Sequence, residues 1–469
     1  MLPEVLQTID SRRHQSVSAL TEFLSIPSVS TKPDHAADMR RAAQWLADQL
    51  KFACLDVSVM PTGGHPAVVA KNRHQAGRTT VLLYGHYDVQ PPEPLGLWTT
   101  PPFEPTVRDG AIYARGAADD KGQVWAHVEA ILAWQAHGGP PVNLTLLIEG
   151  EEEIGSENLE AFVAKHKADF AADIAVVSDT NQFARGVPSI TYGLRGLAYM
   201  EIFLTAASHD LHSGLYGGAV PNPANVLSEL LASLHTSDGK VNLPHFYDEV
   251  LELSQAERQM WEGLGFDEAA FARELALPFL SGENGFTTLQ RKWARPTCDI
   301  NGLTSGYQGP GAKTVIPAQA SAKVSMRLVP NQDPAKIAAA FEETLRERCL
   351  KNVQIKFARH GLAPAALVPI DSAAMKLAAE AVAAGFGKPP IFMREGGSIP
   401  VVGLFKKELG VDTLLVGFGL PDDRIHSPNE KLDLECLFAG SRTAAVLYER
   451  LSHLPRRDKS LPVLPARTR

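Results

Sequence analysis

The chain has 469 residues, 45% of them hydrophobic and 21% charged, with a formal net charge of -8. That length exceeds one small core and predicts two or more domains, while the acidic balance speaks for solubility and against a nucleic-acid surface. Cys54, Cys298, Cys349 and Cys436 are widely spaced with no CxxC, so neither a disulfide framework nor a zinc finger is implied.

Residues 1 to 52 read as helical, with IPSVSTKPD as a loop between two periodic stretches. No signal peptide is read at Met1 and no run is long enough to cross a bilayer, which predicts a cytoplasmic protein. The stretch TTVLLYGHYDVQPP follows, from Thr79 to Pro92. Its apolar run Val81 to Tyr84 predicts a strand buried on both faces. At strand spacing, His86 and Asp88 share a face. A neutral imidazole can ligate a divalent metal while a carboxylate orients its other nitrogen. Taken alone, the pair reads equally well as a structural histidine beside a turn aspartate.

Three later runs share that design. Leu144 to Ile148 ends at Glu149, Gly150 and a triple glutamate. Ile174 to Val177 ends at Asp179. Leu414 to Val416 leads through a glycine-rich loop to His426. Strands alternating with helical stretches predict an α/β sheet, mostly parallel and flanked by helices, with ligands at the strands' carboxyl ends. Between Asp179 and His426 the pattern changes. Ala198 to Leu204 and Ala322 to Leu328 alternate like strands, whereas Asn225 to Leu234 and Ala335 to Arg348 are amphipathic. This α+β stretch predicts a domain inserted at 193–372, within a first domain built from 1–192 and 373–469. Phe246 to Glu283 reads as an acidic, helical surface excursion, and the basic, proline-rich tail from Pro455 as partly disordered.

Arg115 to Gly122, RGAADDKG, suits a tight charged loop. Glu151, Glu152 and Glu153 repel one another, which a nearby cation would relieve, although a helix start also favours carboxylates. Two histidines and at least three carboxylates make a mixed N/O donor set that fits Zn, Mn or Co better than Mg or Ca. Five ligands exceed one tetrahedral ion and fit a bridged pair that activates water and polarises a carbonyl, with a free carboxylate as base. Competing motifs fail. There is no HExxH, the serine of Gly302 to Gly306 is one place late for G-x-S-x-G, and Ala312 interrupts a P-loop-like run before Lys313.

GHYDVQP, RGAADDKG, EGEEEIGSENL, a strand ending in Asp179, ITYGLRG, DLHSGLYGG, GAKTVIP, REGGSIP and HSPNEK occur in order. Together they resemble the two-metal exopeptidase family of carnosinase-type dipeptidases, aminoacylase, acetylornithine deacetylase and glutamate carboxypeptidases. The carnosinase-type branch is the nearest. The resemblance implies His86, Asp119, Glu153, Asp179 and His426 as metal ligands, with Asp119 bridging two divalent ions per subunit, zinc first and manganese or cobalt as alternatives. Asp88 resembles the acid that orients His86, and Glu152 the general base. The family's glutamate pair is a triplet here. Anchoring on Glu149-Gly150 and Ile154-Gly155 makes Glu151 a bystander.

The resemblance also implies a cis peptide at Asp119-Asp120. It makes the insert a lid and dimerisation domain of a homodimer, from which His212 reaches the partner's active site to stabilise the oxyanion. Thr314, Arg327, Gly396, Gly397 and Ser398 resemble substrate-binding positions, the last four around the substrate's C-terminal carboxylate. An aspartate at 179 resembles the dipeptidase and aminopeptidase branches. The expected activity is hydrolysis of dipeptides with a free C-terminal carboxylate, without nucleic-acid or membrane partners. An N-acyl amino acid deacylase using the same site and a non-catalytic metal-binding protein are the alternatives.

Overall fold

A computed structural model describes residues 1–397 and 399–455. The tail beyond Pro455 and the substrate-binding candidate Ser398 lie outside the described residues. The chain divides into two compact units. One is built from Met1–Tyr192, Val368–Met393 and Pro400 onward, the other from Gly193–Leu367 with Arg394–Ile399. The insert expected to end at 372 thus ends at Leu367 and takes back six residues of REGGSIP. The reason is local: Arg394 pairs with Glu257, and Arg195 Nε donates to the Gly396 carbonyl at 3.1 Å.

The first unit is organised on a sheet whose centre is parallel. Strands run in the order Asn143–Glu149, Thr80–His86, Ile174–Val177, Thr413–Leu415. All four are buried throughout, as continuous runs of Val, Leu and Ile in a two-sided parallel sheet should be. Antiparallel strands extend it on both sides, Asp56–Met60 and Ala67–Lys71 beyond one edge and Ser189–Leu194 beyond the other. Register aligns the carboxyl ends: His86 faces Glu149, Tyr84 faces Val177, and Val177 faces Leu415.

Helix Lys121–Gln135 packs within this unit and is buried on nearly every face. Its first residue corrects the loop expected through Gly122. Lys121 is fully buried, and its Nζ donates to the Phe23 and Ile26 carbonyls at 3.1 and 2.7 Å. Gly85 permits this helix to approach, since a Cβ there would lie 2.5 Å from Val124 Cγ2 and 2.7 Å from Asp120 Oδ2.

The second unit is a four-stranded antiparallel sheet in the order Thr297–Ser305, Gln319–Leu328, Gly196–Thr205, Gln354–Ala363. Its central strands alternate as a one-sided sheet requires. Ala198, Met200, Ile202 and Leu204 join Ala322, Val324 and Met326 against helices Pro223–Ala232 and Pro334–Arg348. Asn222 and Asp333 cap those helices through their side chains. The excursion expected to be a solvated surface carries helices Gln255–Glu262 and Glu268–Glu274, yet buries Phe246, Trp261 and Glu283.

Candidate metal centre

The carboxyl ends of the parallel strands gather five donors into two groups. His86, Asp119 and Asp179 form one, and Asp119, Glu153 and His426 the other; within each, the candidate ligand atoms lie within 4.8 Å of one another. Asp119 divides its oxygens between them. Oδ1 lies 3.1 Å from His86 Nε2, and Oδ2 lies 2.9 Å from His426 Nε2. His86 Nε2 is 3.9 Å from Asp179 Oδ2, and His426 Nε2 is 3.3 Å from Glu153 Oε2.

Each donor is delivered differently. His86 is the last residue of its strand, and Asp179 follows Ile174–Val177 by two. Asp119 precedes helix Lys121–Gln135, and its peptide bond to Asp120 is cis, as the resemblance implied. Glu153 sits in the short turn Glu152–Ile154. His426 lies in a loop with positive φ at Arg424 (57°), His426 (59°) and Asn429 (63°). Three non-glycine residues in the left-handed region are strained, and such strain concentrates at functional sites.

Asp88 braces two donors at once. The backbone carbonyl of Asp88 is 3.1 Å from His86 Nδ1, and its carboxylate Oδ1 is 3.4 Å from the same nitrogen. The carboxylate accepts instead from the backbone N–H groups of Glu152 (3.3 Å) and Glu153 (3.1 Å). It thereby fixes the glutamate turn as well as the imidazole. The glutamates of the triplet face different ways. Glu151 turns away to accept from Asn158 Nδ2 at 3.1 and 3.0 Å and from His65 N at 3.1 Å, while Glu153 faces Asp119 and His426.

The electrostatics carry a large acidic excess. Burial, then Glu153 and Asp119, push Glu152 up to about 8. Burial raises Glu153, Asp120 and Asp179 as well, with neighbouring carboxylates adding to it. His426 is pushed up to about 10 by Asp119 and Glu153. Carboxylates crowded this closely stay ionised together only beside cations. The donor set fits divalent ions on a second count. His86 Nε2 is fully buried and makes no hydrogen bond; its 3.1 Å approach to Asp119 is not aligned as one. An imidazole nitrogen left this way is suited to a metal.

Sequence reasoning missed Glu430. It is fully buried and accepts from Arg115 Nη1 (2.7 Å) and from the backbone N–H groups of Gly116 (3.0 Å), Ala118 (3.0 Å) and Asp119 (3.2 Å). It therefore holds the loop that presents Asp119. The signal was available only as two charged residues, Arg115 and Glu430, at the ends of motifs 315 positions apart.

The remaining candidates belong to the second unit. His212 lies in a two-stranded ladder opposite Val315, and Ser213 N donates to the Thr314 carbonyl at 3.2 Å, so His212 and Thr314 are neighbours. Gly214 N donates to His212 Nδ1 at 3.0 Å. Arg327 and Gly396 lie in a different part of this unit. Arg327 pairs in register with Thr297 and Leu197. Gly396 accepts from Arg195, and Gly397 is exposed.

The chain resembles proteins of known name along nearly its whole length. The Cys-Gly metallodipeptidase dug1 of Schizosaccharomyces pombe is 33% identical over 460 residues, covering 94% of this chain and 96% of that protein. The Beta-Ala-His dipeptidase of Homo sapiens is 31% identical over 474 residues, covering 97% and 93%. The solved structure of the dipeptidase Dug1p from Saccharomyces cerevisiae matches with a TM-score of 0.86 at 29% identity, covering 97% of this chain and 99% of that one. With residues 82–450 matching its family profile, the chain belongs to peptidase family M20/M25/M40.

Proposed function

We propose that this protein is a metallodipeptidase that hydrolyses dipeptides bearing a free C-terminal carboxylate, with two divalent ions held per chain. The observation that carries this reading is the division of Asp119 between two donor triads, with Glu152 beside them. His86 and Asp179 would complete one ion's ligands, and Glu153 and His426 the other's. The N/O donor set suits zinc first, with manganese or cobalt as alternatives. Bound ions would polarise the scissile carbonyl and lower the pKa of water held there.

The chain's own residues do the rest. Glu152, whose carboxylate has a raised affinity for a proton, accepts one from the attacking water and returns it to the leaving amine. Asp88 keeps His86 and the Glu152 turn in place. Because His212 Nδ1 accepts from Gly214 N, the neutral tautomer carries its proton on Nε2, a donor suited to the oxyanion. Arg327, with Thr314, Ser398 and the backbone of Gly396 and Gly397, would hold the substrate's ends, the guanidinium fork matching a carboxylate. The resemblance supports a homodimer in which His212 serves the partner's site. Four free cysteines support a reducing, cytoplasmic location. Among the described residues, no helix is long and apolar enough to cross a membrane.

A panel of dipeptides and their N-acyl amino acid counterparts tests the reading. Turnover of dipeptides well above that of N-acyl amino acids is expected. Preferential hydrolysis of the N-acyl compounds would make the chain a deacylase, and no turnover of either would leave a metal-binding protein.

A further inference from the structure

The second unit carries an open-mouthed cavity of about 730 Å³ beside part of the helical excursion. The hairpin at 235–241, the segment 280–296, the strand start at 297–299, Phe271 and Arg195 wall it. The walls are stitched together: Asn284 N donates to the Asp238 carbonyl at 2.9 Å.

Its walls carry four cations, Arg195, Arg291, Lys292 and Arg295, against three carboxylates, Asp238, Glu283 and Asp299. Arg295 and Glu283 neutralise each other in a buried bidentate pair, with both contacts at 2.7 Å. Asp238 lies 3.7 Å from Lys240 Nζ, and Asp299, which accepts from Thr297 Oγ1 at 2.9 Å, offsets part of the charge of Arg195. Three further cations reach the cavity. Arg291 donates Nε to the Glu283 carbonyl at 2.9 Å, and Lys292 Nζ rests 4.9 Å from the centre of the Phe271 ring. Neither forms an ion pair among the described residues. Arg195 donates to the carbonyls of Gly396 and Arg295 at 3.1 and 3.4 Å. Burial, with Arg327 nearby, holds Arg195 down at about 10 against the pull of Asp299, and burial and Arg195 lower Lys292 against the pull of Glu395 and Glu274.

Partly desolvated cations that repel one another are stabilised by an anion. Guanidinium forks and an ammonium match the oxygens of a carboxylate or phosphate. The volume lies in the range of small-molecule sites. We propose that this cavity binds a small molecule through a carboxylate or phosphate group, held by Arg291 and Lys292 with Arg195 beside them. None of the residues of the proposed metal centre takes part. The anionic group comes from a free metabolite-sized anion or from the acidic side chain of a peptide.

Calorimetry on the full chain tests it. Succinate and inorganic phosphate are the free probes. Gly-Glu against Gly-Gln is the peptide probe, titrated into Glu152→Gln protein so that nothing is consumed. Saturable binding of a free anion, or tighter binding of Gly-Glu than of Gly-Gln, is expected, and which arm responds identifies the source. Arg291→Met and Lys292→Met should each weaken that binding at least ~10-fold, a loss of about 1.4 kcal/mol. Thermal unfolding checks that the variants fold. Should they not, Arg291→Lys and Lys292→Gln decide by the same loss of affinity. No saturable binding of any anionic probe, or binding untouched by these substitutions, would overturn the proposal. Because neither arm reads hydrolysis, that outcome is distinct from failure of the dipeptidase reading.

Discussion

The two units present their polar residues in opposite ways. In the first, the candidate ligands stand at the ends of fully buried parallel strands and are braced by buried acceptors: Asp88 holds the glutamate turn, and Glu430 holds the Asp119 loop. In the second, His212 and Thr314 lie exposed at a two-stranded ladder, and the cations of the cavity come from segments far apart in the chain. A cluster of like charges needs rigid second partners to exist without its ions. A group that only has to meet a substrate can stay exposed. Substitutions in the two units should therefore fail differently: those in the first should cost metal binding, proton transfer or stability, and those in the second should cost contacts with the substrate, His212's to the oxyanion included, and leave the metals in place.

The largest effect is expected at Glu152. Glu152→Gln should retain bound metal and lose at least ~100-fold in kcat, the scale of removing a general base. Metal analysis beside steady-state kinetics checks both halves. A variant that loses its metal instead would move Glu152 into the ligand set.

Glu430→Gln comes next. Removing the charge leaves Arg115, itself 1% exposed, without its anionic partner. Breaking a buried pair in this way typically costs about 3–5 kcal/mol. Urea unfolding should show a loss of that order, and metal affinity should fall with it because glutamine keeps a single acceptor oxygen where Glu430 uses two to hold the Asp119 loop. Unchanged stability would mean that the loop is held by something other than Glu430.

The second unit is probed by mixing two inactive variants, His212→Ala and Glu152→Gln. If His212 serves the partner's site, half of randomly paired dimers are mixed and each holds one complete site, so activity recovers to roughly a quarter of wild type. Mixed dimers verified by mass spectrometry that recover nothing would confine His212 to its own chain. The smallest effect is expected at Glu151, whose contacts with Asn158 and His65 point away from the donors. Glu151→Gln should turn over substrate close to wild type.

Much of the first unit was legible in the sequence because its signals are local. A buried run followed within a few residues by His86, Glu153 or Asp179 marks both a parallel strand and its carboxyl end. His426 sits eleven residues past Leu415, and only the motif around it carried that distance. The rest depended on long-range pairing. Nothing near Glu430 announces that its oxygens accept from residues 115–119. Lys121 read as part of a charged loop because a buried lysine is rare, and its carbonyl partners at Phe23 and Ile26 lie almost 100 positions away. The edge strand Gln354–Ala363 has its apolar positions diluted by Lys356, Arg359 and His360, and its burial pattern is irregular. The cavity escaped notice because its walls draw on four separated stretches of chain.

The central claim, two ions shared through Asp119 and required for hydrolysis, is tested most directly by titrating Zn, Mn or Co into chelated protein while metal content and dipeptide turnover are measured on the same sample. The account predicts no turnover in verified metal-free protein and recovery that saturates at two ions per chain. Full hydrolysis by metal-free protein would contradict it, as would saturation at a single ion.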